Sequence, residues 1–140
     1  MDTQSARMTL AEFRQLLADQ HPFSQLLGIE VEAIGPGTAN LRLPPSERHL
    51  RLGGIVAGPM LMGLADVALY AAVVGATGQA GALTASLTIN YLRKAPAGAI
   101  LAEARLLKVG RLTAGEVTLR AERGGEPVAH SVSTWSVPAP

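Results

Sequence analysis

Asp66 is the only charged residue between Arg51 and Arg93, and it lies midway along the most apolar stretch of the chain, MLMGLADVALYAAVV. A carboxylate in such a run must find hydrogen-bond donors or water for its charged form, or else take up a proton. An unneeded charge there would destabilise the fold, so Asp66 is the first candidate for a general base or a nucleophile. The bland alternative is a structural carboxylate held by backbone or hydroxyl donors.

Gly58-Pro59 opens the same predicted helix. Amide N–H groups at a helix start point outward and favour negative charge. Gly58 has no side chain, so a ligand can approach its N–H closely, as an oxyanion site requires. A turn-shaping role for Gly53, Gly54 and Gly58 explains the same residues without chemistry. Eight residues separate Gly58 from Asp66, which is about 12 Å along a helix axis. One carbonyl carbon cannot sit within ~3–3.5 Å of Asp66 and also offer its oxygen to Gly58 of the same chain. Joint action needs two chains, their helices antiparallel across a twofold axis, which predicts a dimer with two shared sites.

Other chemistries find less support. There are no cysteines, which removes disulfides, thiolate metal sites and thiol nucleophiles together. His21, His49 and His130 stand singly, at a helix end, in a loop and in a strand, without ligand spacing, so no metal is expected. Ser86, Ser131 and Ser133 have no visible histidine–carboxylate partners for a serine triad. Tyr91 and Trp135 read as packing residues. A net charge of +1 without a basic face argues against nucleic acid, and no cofactor is implied. The polar start MDTQSARMTLAEF lacks a hydrophobic signal region, so a cytoplasmic protein is expected. Ile55 to Val74 approaches the length of a membrane span. Pro59, two glycines and a central Asp66 oppose insertion, and a helix buried inside a soluble protein fits better.

The elements that must position these residues read as one domain over 1–140, with residues 1–20 as a helical extension. Thr9-Leu10-Ala11-Glu12 is a capping box, followed by an apolar face of Leu10, Phe13, Leu16 and Leu17 to near Gln20. Strands are predicted at Ile29 to Ile34 and Thr38 to Leu43, joined by Gly35-Pro36-Gly37, and Pro44 to Arg51 reads as a polar loop. The long helix should run to about Val74, stopped by Gly75 and Gly78. Apolar residues on almost every side predict that other structure encloses it. Leu83, Ala85, Leu87, Ile89 and Tyr91 then alternate with Thr84, Ser86, Thr88 and Asn90. Further strands follow at Ile100 to Val109, Glu116 to Glu122 and Val128 to Val137, with a tight Gly124-Gly125 turn before the last. This order predicts an α+β fold, an antiparallel sheet wrapped around one central helix.

Gly53-Gly54-Ile55-Val56-Ala57-Gly58-Pro59 followed by Leu64-Ala65-Asp66 resembles the G-x-V-H-G-G-x4-L-x-D signature of hotdog-fold acyl-CoA thioesterases of the phenylacetate-degradation type. The likeness extends in order over residues 21–137. It takes in His21-Pro22-Phe23 through Leu27-Gly28-Ile29, the strand Leu87 to Ala95, Gly98, and Gly110-Arg111. The resemblance implies a hotdog fold, a homodimer or dimer of dimers, and hydrolysis of an acyl-CoA thioester. By position, Asp66 would be general base or nucleophile, the Gly58 N–H would polarise the carbonyl, and Thr84 would position the attacking water. Arg93, Lys94 and Arg111, beside Gly110, fall near positions that meet the phosphates of coenzyme A. Met60, Leu61 and Leu64 would line an apolar acyl groove. Three departures stand out: Ala57 replaces the family histidine, Pro59 its second glycine, and Arg51 its loop asparagine. Ala57 keeps open the reading of a non-catalytic acyl-CoA-binding protein; a hotdog hydratase or dehydratase uses the same fold but would want a histidine beside the acid, which position 57 does not supply.

Overall fold

A computed structural model describes residues 5–140; the first four residues of the polar N-terminal segment lie outside them. The capping box forms as expected. Thr9 Oγ1 accepts the Glu12 amide at 3.1 Å, and Glu12 Oε1 accepts the Thr9 amide at 2.9 Å. It starts α1 (Leu10–Gln20), which buries Phe13 and Leu17. A separate short helix, α2 (Pro22–Leu27), follows, with Pro22 in its first turn and His21 as its cap. Strands β1 (Glu30–Ile34) and β2 (Thr38–Leu43) form the expected hairpin.

The segment read as a polar loop contains a short 3-10 turn over Glu47–His49 and a two-residue ribbon, β3 (Leu50–Arg51) against β4 (Ile55–Val56). The long helix α3 (Gly58–Thr77) comes next, then β5 (Leu83–Tyr91), β6 (Ile100–Lys108), β7 (Leu112–Ala121) and β8 (Ala129–Ser136). The six longer strands make one antiparallel sheet in the order β1-β2-β6-β7-β8-β5, curled around α3. This is the sheet wrapped around one helix that the element order predicts, and it matches the hotdog fold that the resemblance implies.

Two expectations about α3 change. Gly75 does not stop it: the helix continues to Thr77 and ends at Gly78 in the left-handed conformation. Gly75 serves close packing, since a β-carbon there would lie against the Gly35 carbonyl oxygen, well inside contact distance. Nor is α3 enclosed on all sides within one chain. Thirteen of its residues are buried, including Leu64, Val67 and Val73. Pro59 and Met62 are nonetheless exposed, and Asp66 is half-buried. Their spacing of three and four residues makes one open stripe along the helix.

Candidate functional site

The strict alternation expected along β5 is broken, and the break builds the site. Residues paired across antiparallel strands share a face. Thr84 pairs with Trp135, and Leu87, Ile89 and Tyr91 pair with Ser133, Ser131 and Ala129, all on the buried side of β8. Ser86 pairs instead with Thr134, so Ala85 is an extra residue that shifts the register. Such a bulge re-aims the side chains on either side of it. Without it, Thr84 would share a face with Ser86 and point away from α3. With it, the Thr84 hydroxyl donates to Asp66 Oδ1 at 2.7 Å. The lone carboxylate is thus satisfied by a hydroxyl from a neighbouring strand, and its half-exposed position leaves room for further contacts.

Asp66 and Thr84 stand on the wall of a cavity of about 290 Å³ that His21, Tyr70, Leu83 and Trp135 also line. One part of its wall is aromatic. Tyr70 stacks on Trp135 with centroids 5.8 Å apart, and on the His21 ring at 5.9 Å. Burial pushes the Tyr70 phenol above its ordinary range, so it stays protonated and donates to the Ala80 carbonyl at 2.6 Å. His21, read from sequence only as a helix-end residue, therefore belongs to the surroundings of Asp66. No local pattern could reveal this, because α2 brings it there.

At the start of α3 the available donors reduce to one. Ala57 at the cap position makes no side-chain cap. Pro59 has no N–H. The amides of Met60 and Leu61 both donate to the Ala57 carbonyl, at 3.0 and 3.3 Å. The Gly58 amide has no partner among the described residues. Pro59, a departure from the family pattern, is thereby compatible with an anion site built on Gly58 alone.

Tyr91 fixes the same peptide unit. Its hydroxyl donates to the Gly58 carbonyl at 3.1 Å, and its ring lies where a β-carbon on residue 58 would come within 3.3 Å. Sequence reading takes Tyr91 as packing; alternation places it on one face with Leu87 and Ile89, but it could not reveal the contact with Gly58.

A second cavity, of about 400 Å³, opens beside Gly58 and is lined by Arg51, Leu61, Tyr91, Arg93 and Lys94. Arg93 is partly committed there: it pairs with Glu126 at 3.2 Å and donates to the Pro127 carbonyl at 2.6 Å. Arg51 and Lys94 have no side-chain partner among the described residues. The remaining predicted residues are dispersed. Gly110 and Arg111 line a separate cleft with Thr77 and Gln79, at the far end of α3. Met60 faces another cavity, of about 540 Å³, with Leu27, Pro44 and His49. Leu64 is fully buried, so one chain forms no groove lined by Met60, Leu61 and Leu64 together. Asp66 and Gly58 stay eight residues apart on one unbroken helix, so the separation of about 12 Å holds.

Comparison with known proteins agrees with this geometry. The thioesterase superfamily model matches residues 53–128, which takes in Gly58, Asp66, Thr84 and Tyr91. The structure of a putative thioesterase from Silicibacter sp. TM1040 is 36% identical, covers 96% of this chain and 94% of its own, and superposes with a TM-score of 0.84. A variant of the phenylacetic acid degradation protein PaaI from Thermus thermophilus is 28% identical over 84% of this chain and 99% of its own, with a TM-score of 0.75. A putative esterase of Saccharolobus solfataricus is 28% identical over 131 residues, 93% of this chain and 86% of that protein. With the family pattern spanning more than half the sequence and the fold matching throughout, the chain belongs to the thioesterase superfamily.

Proposed function

We propose that this protein hydrolyses an acyl-CoA thioester to the free acid and coenzyme A, with each site shared between two chains. The observation that carries the reading is the Thr84–Asp66 hydrogen bond at 2.7 Å, formed through a bulge in the strand beside the one carboxylate of an otherwise apolar helix. Asp66 takes a proton from water as that water attacks the thioester carbonyl, and Thr84 holds the carboxylate and the water in line. The oxygen that becomes negative meets the Gly58 amide of the partner chain. The tetrahedral intermediate collapses by breaking its carbon–sulfur bond, and the thiolate leaves with a proton. Attack by Asp66 itself, through an anhydride that water then opens, uses the same groups.

Two features support the shared site. Strand β5 ends the sheet and has a free outer edge nine residues long, a template for pairing with a second copy. The open stripe of Pro59, Met62 and Asp66 on α3 lies where a second α3 would pack antiparallel. The dimer, or a dimer of dimers, would bring one chain's Arg51, Lys94 and Gly58 beside the other's Asp66. These cations suit the phosphates of coenzyme A, and Arg111 would have to reach them from a further chain end.

The test is thiol release from a panel of acyl-CoA thioesters of differing chain length and ring content. Turnover of at least one member is the expected result. Binding of coenzyme A thioesters without turnover would favour the non-catalytic reading, for which the alanine at position 57 is the motive.

A further inference from the structure

The cavity beside Asp66 holds an imidazole that the hydrolytic scheme does not use. His21 Nδ1 accepts the Ser24 amide at 3.2 Å, so the proton of the neutral ring lies on Nε2. The other side-chain polar hydrogens of the cavity wall are committed. The Tyr70 hydroxyl donates to the Ala80 carbonyl, the Trp135 indole N–H to Ser133 Oγ at 2.7 Å, and the Thr84 hydroxyl to Asp66. His21 Nε2 has no partner among the described residues. Among the side chains that line this cavity of about 290 Å³, His21 therefore presents an uncommitted donor in the same space as Asp66.

We propose that His21 is a specificity-determining residue whose Nε2–H binds an oxygen on the acyl group of the substrate; this rests on the thioesterase reading above. Tyr70 lies four residues beyond Asp66, on the same face, and carries the His21 ring at 5.9 Å; all three line one cavity with Thr84. The substrate class is an acyl group with a keto or hydroxyl oxygen along its chain. A donor covered by the acyl group and left unpaired disfavours the analogue that lacks the oxygen.

The experiment compares kcat/KM for paired CoA thioesters in which a keto oxygen replaces a methyl branch at one carbon. The pairs are 3-oxobutanoyl with 3-methylbutanoyl, 4-oxopentanoyl with 4-methylpentanoyl, and 5-oxohexanoyl with 5-methylhexanoyl. The expected oxo-to-methyl ratio exceeds about tenfold at one of the three positions, the scale of one hydrogen bond once the bound acyl group displaces water from the donor. In His21→Asn the side-chain oxygen can still accept the Ser24 amide and cap α2, but the ring donor is gone, and the ratio should fall by about tenfold. A wild-type preference for the methyl member at every position overturns the proposal, as does a ratio equal in wild type and H21N. In either case the thioesterase reading stands, because the methyl-branched CoA thioesters are still turned over. Failure to cleave any CoA thioester overturns both. The wild-type panel decides the matter even if H21N does not fold.

Discussion

A shared site makes a numerical prediction for mixed oligomers. Asp66→Asn removes the base but keeps the shape, and leaves Gly58 untouched. Gly58→Val places a branched side chain beside the free amide and drives a β-carbon to 3.3 Å from the Tyr91 ring, which displaces the peptide and blocks its N–H. Each homodimer then carries a defect in both sites. After dissociation and random reassembly of an equal mixture, half of the dimers are mixed. If Gly58 and Asp66 of one site come from different chains, one site of each mixed dimer carries both defects and the other carries none. A quarter of all sites are intact, so activity should recover to about 25% of wild type. The assay is thiol release before and after reassembly, with melting curves to show that both variants fold. The separation of about 12 Å on one rigid helix is the origin of the prediction. Activity that stays at the average of the two parents would refute it and require that one chain carries the complete site.

Three further predictions address parts of the account separately. Tyr91→Phe removes the hydroxyl that holds the Gly58 carbonyl while keeping the ring, and should lower kcat by about tenfold with little change in KM, as expected when an oxyanion donor is loosened. Gly75→Ala must push the Gly35 backbone away; the overpacking should cost about 1–3 kcal/mol, measured by urea denaturation, despite alanine's better helix propensity. Glu116 is held below its ordinary range by the hydrogen bond from His130, at 2.9 Å, with Arg105 adding to the effect. A depressed carboxylate stabilises the fold above its unfolded pKa, and this contribution disappears as pH falls through the folded value. Glu116→Gln should therefore be the less stable protein at pH 6, by about 0.5–1 kcal/mol for a partly exposed pair, and the difference should shrink in thermal melts as pH falls below the ordinary carboxylate range.

Most of the architecture was legible because local signals agreed with one another. The capping box, the apolar run from Gly58, and the glycine turns at Gly35-Pro36-Gly37 and Gly124-Gly125 each mark a boundary that the fold respects within a few residues. The exceptions share a cause. Gly75 resembles a helix stop, but its role is set by Gly35 pressing on it from another element. Strand β7 begins at Leu112 rather than Glu116, because the Thr-Ala-Gly segment pairs with β6 and β8, and a glycine there admits Leu69 from α3.

The site was legible in part. The isolation of Asp66 marked it, and the helical rise separated it from Gly58. The bulge at Ala85 was not visible, since one inserted residue leaves the composition of a strand unchanged while reversing the facing of what precedes it. Thr84 was reached through the family likeness, and the bulge supplies the physical reason that it meets Asp66. His21 and Tyr91 were missed because their roles depend on contacts across 45 and 33 residues of sequence.

The central claim is that Asp66 performs the hydrolytic step. It is tested most directly by thiol release from the best acyl-CoA substrate with Asp66→Asn, in which the Thr84 hydroxyl keeps an oxygen to bond. Loss of a base or nucleophile should lower kcat by about 10²–10⁴ with the melting temperature preserved. Turnover equal to wild type in a folded D66N protein would contradict the account.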